Sequence, residues 1–434
     1  MDESGSPVLL EHLFRRQAGR IVACLAVLLG TGHLQLAEDA VQEAMLGAAQ
    51  LWPLHGVPAS PEAWLFRVAH NHVVSALRRR ASFERRSEAL IAALEARTAH
   101  CGRVPPDELD TEQHLRDDEL RMIFMCCHPS LAVEARVALS LKLVAGFSVG
   151  EIARIFMTAE ETIAQRLVRA KRSIREQALP LCMPPSAELP ARLDSVLLVI
   201  YLMFSGGYAV RGVEGLAPEQ VCPEQVCSEE VCLEALRLGR LVCASSISAP
   251  RAEALVALMA LQAARLPARV DAAGNLVLLE DQDRGRWDRD LIDLGFRYFD
   301  HSIAGEEVSE WHVQAAIAAT YARAEKAESI DWPAILEHYD HLLERTGSPV
   351  VALNRAVVVS KVHGPDAALR ALAPLAKESS LRGYHLLPAV QGRVFAQLGR
   401  VHEAAAAYRA ALECACAEPE RRFLAARLAE LGGA

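Results

Sequence analysis

The chain is poor in aromatic residues: Phe, Trp and Tyr together make up 5% of it, although hydrophobic residues reach 52%. Its apolar content is therefore mostly Ala, Leu and Val, a mixture that favours packed helices over strands. The 11 cysteines include no Cys-x-x-Cys pair. Long apolar runs are also missing. Those at Ile21 to Leu29 and Val196 to Phe204 are well short of a membrane span, so no membrane association is expected. The opening Met1-Asp2-Glu3-Ser4 is acidic, unlike a secretory leader, and a reducing cytoplasm is the expected compartment. No nucleophile–base spacing, phosphate-binding loop or metal signature is present, so neither an enzyme nor a metal or cofactor site is expected. Nor is there an overall excess of positive charge. The formal net charge is −9, of which residues 1–180 carry −1 and the remainder −8. The second part is thus a poor polyanion binder and suits regulation or protein contact.

What the chain has is helical patterning broken at a few places. With 434 residues and 23% charged side chains, it is long enough for several folded domains. The pattern predicts an all-α protein with five segments: 8–86, a linker 87–116, 117–178, a helical connecting domain 190–305, and helical repeats at 306–434. One strand-like piece is expected at Asn275 to Leu279. In the last segment Gly392, Phe395, Gly399, Ala404, Tyr408 and Ala411 follow the small/large spacing of a tetratricopeptide repeat. Ala356, Val359, Ala368 and Leu372 keep the same offsets 36 residues earlier. Any antiparallel helical bundle is the plainer alternative. Cys222, Cys227 and Cys232 end three copies of a five-residue micro-repeat. Five-residue spacing turns each about 140° from the last on a helix, so they do not share a face.

Two segments carry chemistry. The first is a helix-turn-helix pattern. Gly146 supplies a left-handed helix end, Ser148 and Glu151 form a capping box, and Thr158 with Glu161 suggests a second. On the second helix Ile163, Leu167, Ala170 and Ile174 share the packing face. Glu161, Gln165, Arg169 and Arg172 lie roughly opposite, with Thr162 and Arg166 beside them. The first turns of such a helix meet base edges, where Glu161 suits cytosine and Gln165 adenine. Arg166, Arg169, Lys171 and Arg172 suit phosphates. The plainer reading is a solvated charged face.

The second segment is Ala37-Glu38-Asp39-Ala40-Val41-Gln42-Glu43-Ala44. Asp39, Gln42 and Glu43 share one helix face while Val41 turns to the core. A Pro/Gly-punctuated loop, Trp52 to Ala59, follows. Ser60 and Pro61 then start a helix that ends in Arg78, Arg79 and Arg80. Arg67, Asn71 and Arg78 line one side of it. A basic helix end beside an aromatic loop suits unpaired bases and their phosphates. Trp64 is either a stacking platform or a core residue.

These residues resemble bacterial sigma-70 family factors of the extracytoplasmic-function type over about residues 8–178. Ala37 to Glu43 resembles the region 2 helix that docks on core polymerase, with Asp39, Val41, Gln42 and Glu43 as contacts. Ala63-Trp64-Leu65-Phe66-Arg67-Val68-Ala69-His70-Asn71 through Arg80 resembles the helix that opens and reads the −10 element. Ser148 to Arg172 resembles region 4, which reads the −35 element. More narrowly, Cys126-Cys127-His128-Pro129, Ala164 to Arg172 and Leu278-Leu279-Glu280-Asp281-Gln282-Asp283 resemble the subgroup with a fused C-terminal tetratricopeptide-like domain, often grouped as SigJ-like. The resemblance implies core RNA polymerase, through its β′ and β subunits, and promoter DNA as partners. It also implies a C-terminal domain that regulates the factor, with a regulatory protein as a further partner. Three departures stand out: Ala164 where a Lys is common, a Pro-rich rather than Phe-rich loop before Trp64, and Gly206-Gly207 where Asn-Glu-Gly is usual. A DNA-binding regulator with a helical-repeat sensor and no polymerase contact is the alternative function.

Overall fold

The computed structural model describes residues 7–81, 110–156, 158–208, 224–272, 275–305, 307–414 and 418–432. Most of the linker 87–116, together with Cys222 and the side chain of Cys227, lies outside the described residues. The chain divides into two compact units, Met1–Met203 and Phe204–Ala434. The division falls inside a helix rather than at the Pro-rich break near residue 184.

In the first unit α1 (Pro7–Leu29), α2 (Leu34–His55) and α3 (Pro61–Ala81) pack on one another. α4 (Asp110–Cys126) lies against α1, and the short α5 (Val133–Leu139) runs into a π-helical turn, Ser140–Val144. The backbones of α1 and this turn approach so closely that a Cβ on Gly19 would sit 1.8 Å from the Val144 carbonyl oxygen. Glycine is required there by lack of space. α6 (Val149–Ile155) and α7 (Glu160–Glu176) follow.

α8 (Leu189–Tyr208) is anchored to the first unit by its N-terminal half. Arg192 donates to the Phe124 carbonyl (2.7 Å) and Ser195 to that of Cys127 (2.6 Å). Among the described residues it is the one helix long and apolar enough to cross a membrane by composition. Its apolar side chains are spent on packing: Val196, Leu197, Val199, Ile200, Met203 and Phe204 are all buried. The Cys126-Cys127 pair is structural in the same way. Both thiols are buried, and burial pushes that of Cys127 up to about 12. A protonated, enclosed thiol is a poor nucleophile and a poor ligand.

The second unit is built around α10 (Pro250–Ala263), which packs against α9 (Glu224–Cys243), α11 (Arg289–Ser302) and α12 (Glu310–Arg323). Between α10 and α11 the expected strand reduces to one isolated bridge, Val270 to Leu276, followed by 3-10 turns at Leu279–Asp281 and Arg284–Arg286. Glu280 there is clamped by Lys361 and Arg393, and they hold its carboxyl below the ordinary range despite partial burial. Beyond α12 the chain forms successive helices, each packed on the next: α13 (Trp332–Thr346), α14 (Pro349–His363), α15 (Pro365–Leu372), α16 (Leu386–Gln397), α17 (Val401–Glu413) and α18 (Glu418–Gly432). Gly392 on α16 faces the Tyr408 ring of α17, and a Cβ there would lie 3.0 Å from it. Ala356, Ala368, Ala404 and Ala411 are fully buried. Small residues thus sit where helices approach closely.

Candidate functional site

The helix-turn-helix forms locally as its caps dictate, with one exception. Ser148 accepts from the Glu151 amide, and Glu151 returns a bond to the Ser148 amide (2.6 Å), completing the capping box. Gly146 takes φ +75° and turns the chain out of the π turn. The second expected box does not form. Ala159, not Thr158, is the N-cap of α7, and no side chain caps it. The turn sets this register, because the Thr158 amide is committed to the Ala153 carbonyl (2.9 Å). Glu160 and Glu161 in the first turn complement the helix dipole instead. Gly150 lies against the Glu160 carboxylate and lets α6 and α7 cross closely.

α7 buries one stripe, Ile163, Leu167, Ala170 and Ile174. Glu161, Thr162, Gln165, Arg169 and Arg172 are exposed, and Arg166 is half-exposed. Arg172 pairs with Glu176 on the same helix (2.7 Å). Such an exposed pair is weak and readily exchanged for a phosphate. Val168 stands among these polar residues at 67% exposure, a site the apolar periodicity did not flag. A methyl-bearing side chain there suits the thymine methyl of the major groove.

Lys171 behaves differently from the phosphate-facing role expected of it. Its ammonium is held by Glu38 of α2 and by the Gln35 Oε1 (3.1 Å). Gln35 in turn donates to Asp39 (2.8 Å). A hydrogen-bonded chain therefore links α7 to the Asp39 face of α2. Glu38 and Gln35 were missed in the sequence. The available signal was the place of Glu38 in the sequence, a carboxylate among the small and apolar Ala37, Ala40 and Val41, and the structure leaves it only 6% exposed.

On α2, Asp39, Gln42 and Glu43 are exposed together. Val41 is 3% exposed, so its side chain offers no contact surface to a partner. α2 also runs further than expected, through Pro53 to His55, where Gly56 at φ +82° ends it. Trp52 is thus helical and buried, not part of an exposed aromatic loop, and it meets Trp64 edge-to-face at 5.6 Å. Trp64 is half-buried against it. Leu54 in the last turn of α2 and Val57 just beyond it, at 77% and 53% exposure, are the exposed apolar groups here instead. α3 buries Leu65, Ala69, Val73 and Leu77 and exposes Arg67, Asn71, Arg78 and Arg79. The Arg80 side chain lies outside the described residues. No group of three or more His, Cys, Asp and Glu side chains able to hold a metal occurs among the described residues.

Comparison with known proteins places names on these parts. Residues 13–83 match sigma-70 region 2, and residues 121–174 match sigma-70 region 4. Residues 192–303 match a family of unknown function, DUF6596. An uncharacterized protein of Rhizobium meliloti is 38% identical over 401 residues, which is 92% of this chain and 90% of that one. The ECF RNA polymerase sigma-E factor of Escherichia coli K12 is 29% identical over 147 residues, 33% of this chain and 74% of that one. Its Salmonella typhimurium LT2 counterpart is 28% identical over the same length. No solved structure matches. The Rhizobium relative shares almost the whole length but carries no assigned role; the two sigma-70 regions, present in order, and the sigma-E matches over the same part of the chain support an ECF-type sigma factor, a transcription initiation factor and not an enzyme.

Proposed function

We propose that this sigma factor binds core RNA polymerase through the exposed Asp39, Gln42 and Glu43 face of α2 and directs it to promoters in the cytoplasm. Glu161, Thr162, Gln165, Arg166, Arg169 and Arg172 of α7 read the −35 element. Arg67, Asn71 and the Arg78–Arg80 end of α3 hold and help melt the −10 element, with Trp64 and the Leu54/Val57 segment beside the opened bases. The helical second unit is a tetratricopeptide-like regulatory domain, and its acidic character suits contact with a protein rather than DNA. The observation that carries this reading is the pair of exposed polar faces, on α2 and α7, each held by an apolar stripe within a matched sigma region.

The reading also requires the first unit to open. Elements named −35 and −10 lie about 85 Å apart on B-DNA, at about 3.4 Å per base pair. In the closed unit Lys171 of α7 touches Glu38 of α2. The Lys171–Glu38 pair is therefore a contact of the resting factor, exchanged for a phosphate on the promoter. Run-off transcription with purified core polymerase tests the proposal. A promoter-specific transcript is expected, and Asp39→Ala with Gln42→Ala is expected to abolish core binding while the chain stays folded. Promoter binding that survives without any polymerase-dependent transcript would instead make this an operator-binding regulator.

A further inference from the structure

The second unit carries a cationic cavity to which neither the sigma reading nor the unknown-function match assigns a role. We propose that it binds a small oxyanion-bearing, hydroxylated metabolite such as a sugar phosphate. The cavity is 340 Å³, and its lining includes Arg284, Trp287, Arg289, Arg323 and Glu325. It sits where the 3-10 turn Arg284–Arg286 meets the start of α11 and the end of α12. Three arginines thus line one cavity in a part of the chain whose net charge is −8. Among the described residues none of the three is in an ion pair.

Part of this cluster has a structural explanation. Arg284 donates through Nη1 to the Tyr321 and Ala324 carbonyls (2.8 and 2.7 Å), capping the C-terminal end of α12. Its guanidinium also lies 4.5 Å over the Trp287 ring. The remainder has none. The Arg284 Nη2 and Trp287 Nε1 donors are buried without acceptors, and the Trp287 side chain is 4% exposed. Buried donors are rarely left unpaired. Burial, with the positive charge of Arg265 nearby, pushes the Arg284 pKa down. An anion in the cavity would relieve that strain. Arg289 and Arg323 are exposed; Arg323 lies 5.6 Å over the Phe296 ring, a contact that leaves its N–H groups free to donate, and as rigid planar forks both suit phosphate or carboxylate oxygens.

Size and the single carboxylate narrow the ligand class. The cavity is at the small end of ligand pockets, yet it is roomy for a bare inorganic ion. Glu325 repels a fully anionic ligand but accepts hydrogen bonds from hydroxyl groups. A polyol phosphate satisfies both ends. The stretch Leu278 to Asp283 leads directly into Arg284, so the clamped Glu280 turn joins this cavity to α14 and α16. Occupancy therefore has a route to the repeat helices.

Isothermal titration of the full chain at fixed ionic strength tests the site, and it does not depend on the sigma activity. The probes are ribose 5-phosphate, ribose, inorganic phosphate and succinate. Saturable one-to-one binding of ribose 5-phosphate, weakened at least tenfold in the Arg289→Gln/Arg323→Gln double variant, is the expected result. Both positions are exposed, so far-UV circular dichroism is expected to match the unmodified chain. Glu325→Gln is expected to bring inorganic phosphate closer to ribose 5-phosphate in affinity. Saturable succinate binding with the same variant dependence would assign a carboxylate-bearing ligand to the same oxyanion site. The proposal is overturned if none of the anions binds saturably, or if binding is unchanged in the double variant.

Discussion

Two helices of similar length show how differently the two units use their surface. α7 has 17 residues and buries four of them in a single stripe. α10 has 14 and buries ten. The charged residues of α7 run its whole length, whereas α10 carries charge only at Arg251 and Glu253 in its first turn. A helix held by one stripe leaves the rest of its surface for a partner. A helix buried all round has no such surface and instead organises its neighbours. α10 is the strut on which α9, α11 and α12 pack, close enough that a Cβ on Gly295 would meet Leu261 at 2.6 Å.

The sharpest way to break this contrast is to place one charge on each helix. Ala257→Asp puts an unpaired carboxylate at a fully buried site and is expected to cost about 4 kcal/mol or more. Arg169→Asp on α7 is expected to change stability by no more than about 0.5 kcal/mol while abolishing promoter binding. Urea denaturation and gel-shift assays read the two outcomes. Similar stability losses would mean that α7 is as much a core element as α10.

Gly19→Ala probes a place where the first unit is packed as tightly as the second. The new methyl meets backbone, not a side chain that can swing away. A loss of about 2–3 kcal/mol is expected, measured by thermal denaturation. An unchanged midpoint would show that α1 and the π turn move apart at little cost.

A further pair of substitutions sharpens the difference on the exposed side. Gln165→Ala is expected to weaken binding to the preferred −35 sequence by about 1–3 kcal/mol and to relax discrimination at one base pair. Arg169→Ala is expected to weaken all sequences alike and to lower the salt slope by about 1. Competition binding across a randomised −35 element separates them. If Gln165→Ala weakens every sequence equally, Gln165 holds backbone rather than reading a base.

The parts legible in the sequence were those whose physics is local. The α7 stripe, the Ser148–Glu151 box and the left-handed Gly146 each depend on residues within a few positions. The all-helical class followed from composition for the same reason. Thr158 was misread because the turn hydrogen bond to Ala153 competed with its capping role. The Trp52 segment was misread because Pro53, which lacks the N–H that a helix position would donate, suggested a loop, whereas α2 continues through it to His55. Lys171 was illegible: its partner Glu38 is 133 residues away, and nothing in the α7 pattern marks one basic residue as already engaged. The cavity at Arg284 depends likewise on the start of α11 and the end of α12 coming together with the Arg284 turn.

Lys171 gives the smallest expected effect and the finest test, because it belongs to both sides of the comparison. It lies on the exposed helix yet is tied into the fold. Glu38 is nearly enclosed, so Lys171→Ala leaves a carboxylate without its counter-charge and is expected to cost about 1–2 kcal/mol. Adding Glu38→Gln removes that carboxylate's charge and is expected to recover part of the loss, a coupling that a double-mutant cycle reads directly. DNA binding then distinguishes a resting contact from a permanent one. Glu38→Gln alone frees the Lys171 ammonium, and the full chain is expected to bind promoter DNA more tightly, with a salt slope steeper by about 1. If Glu38→Gln leaves both affinity and slope unchanged, Lys171 is not exchanged between a carboxylate and a phosphate, and the closed first unit is not held by this pair.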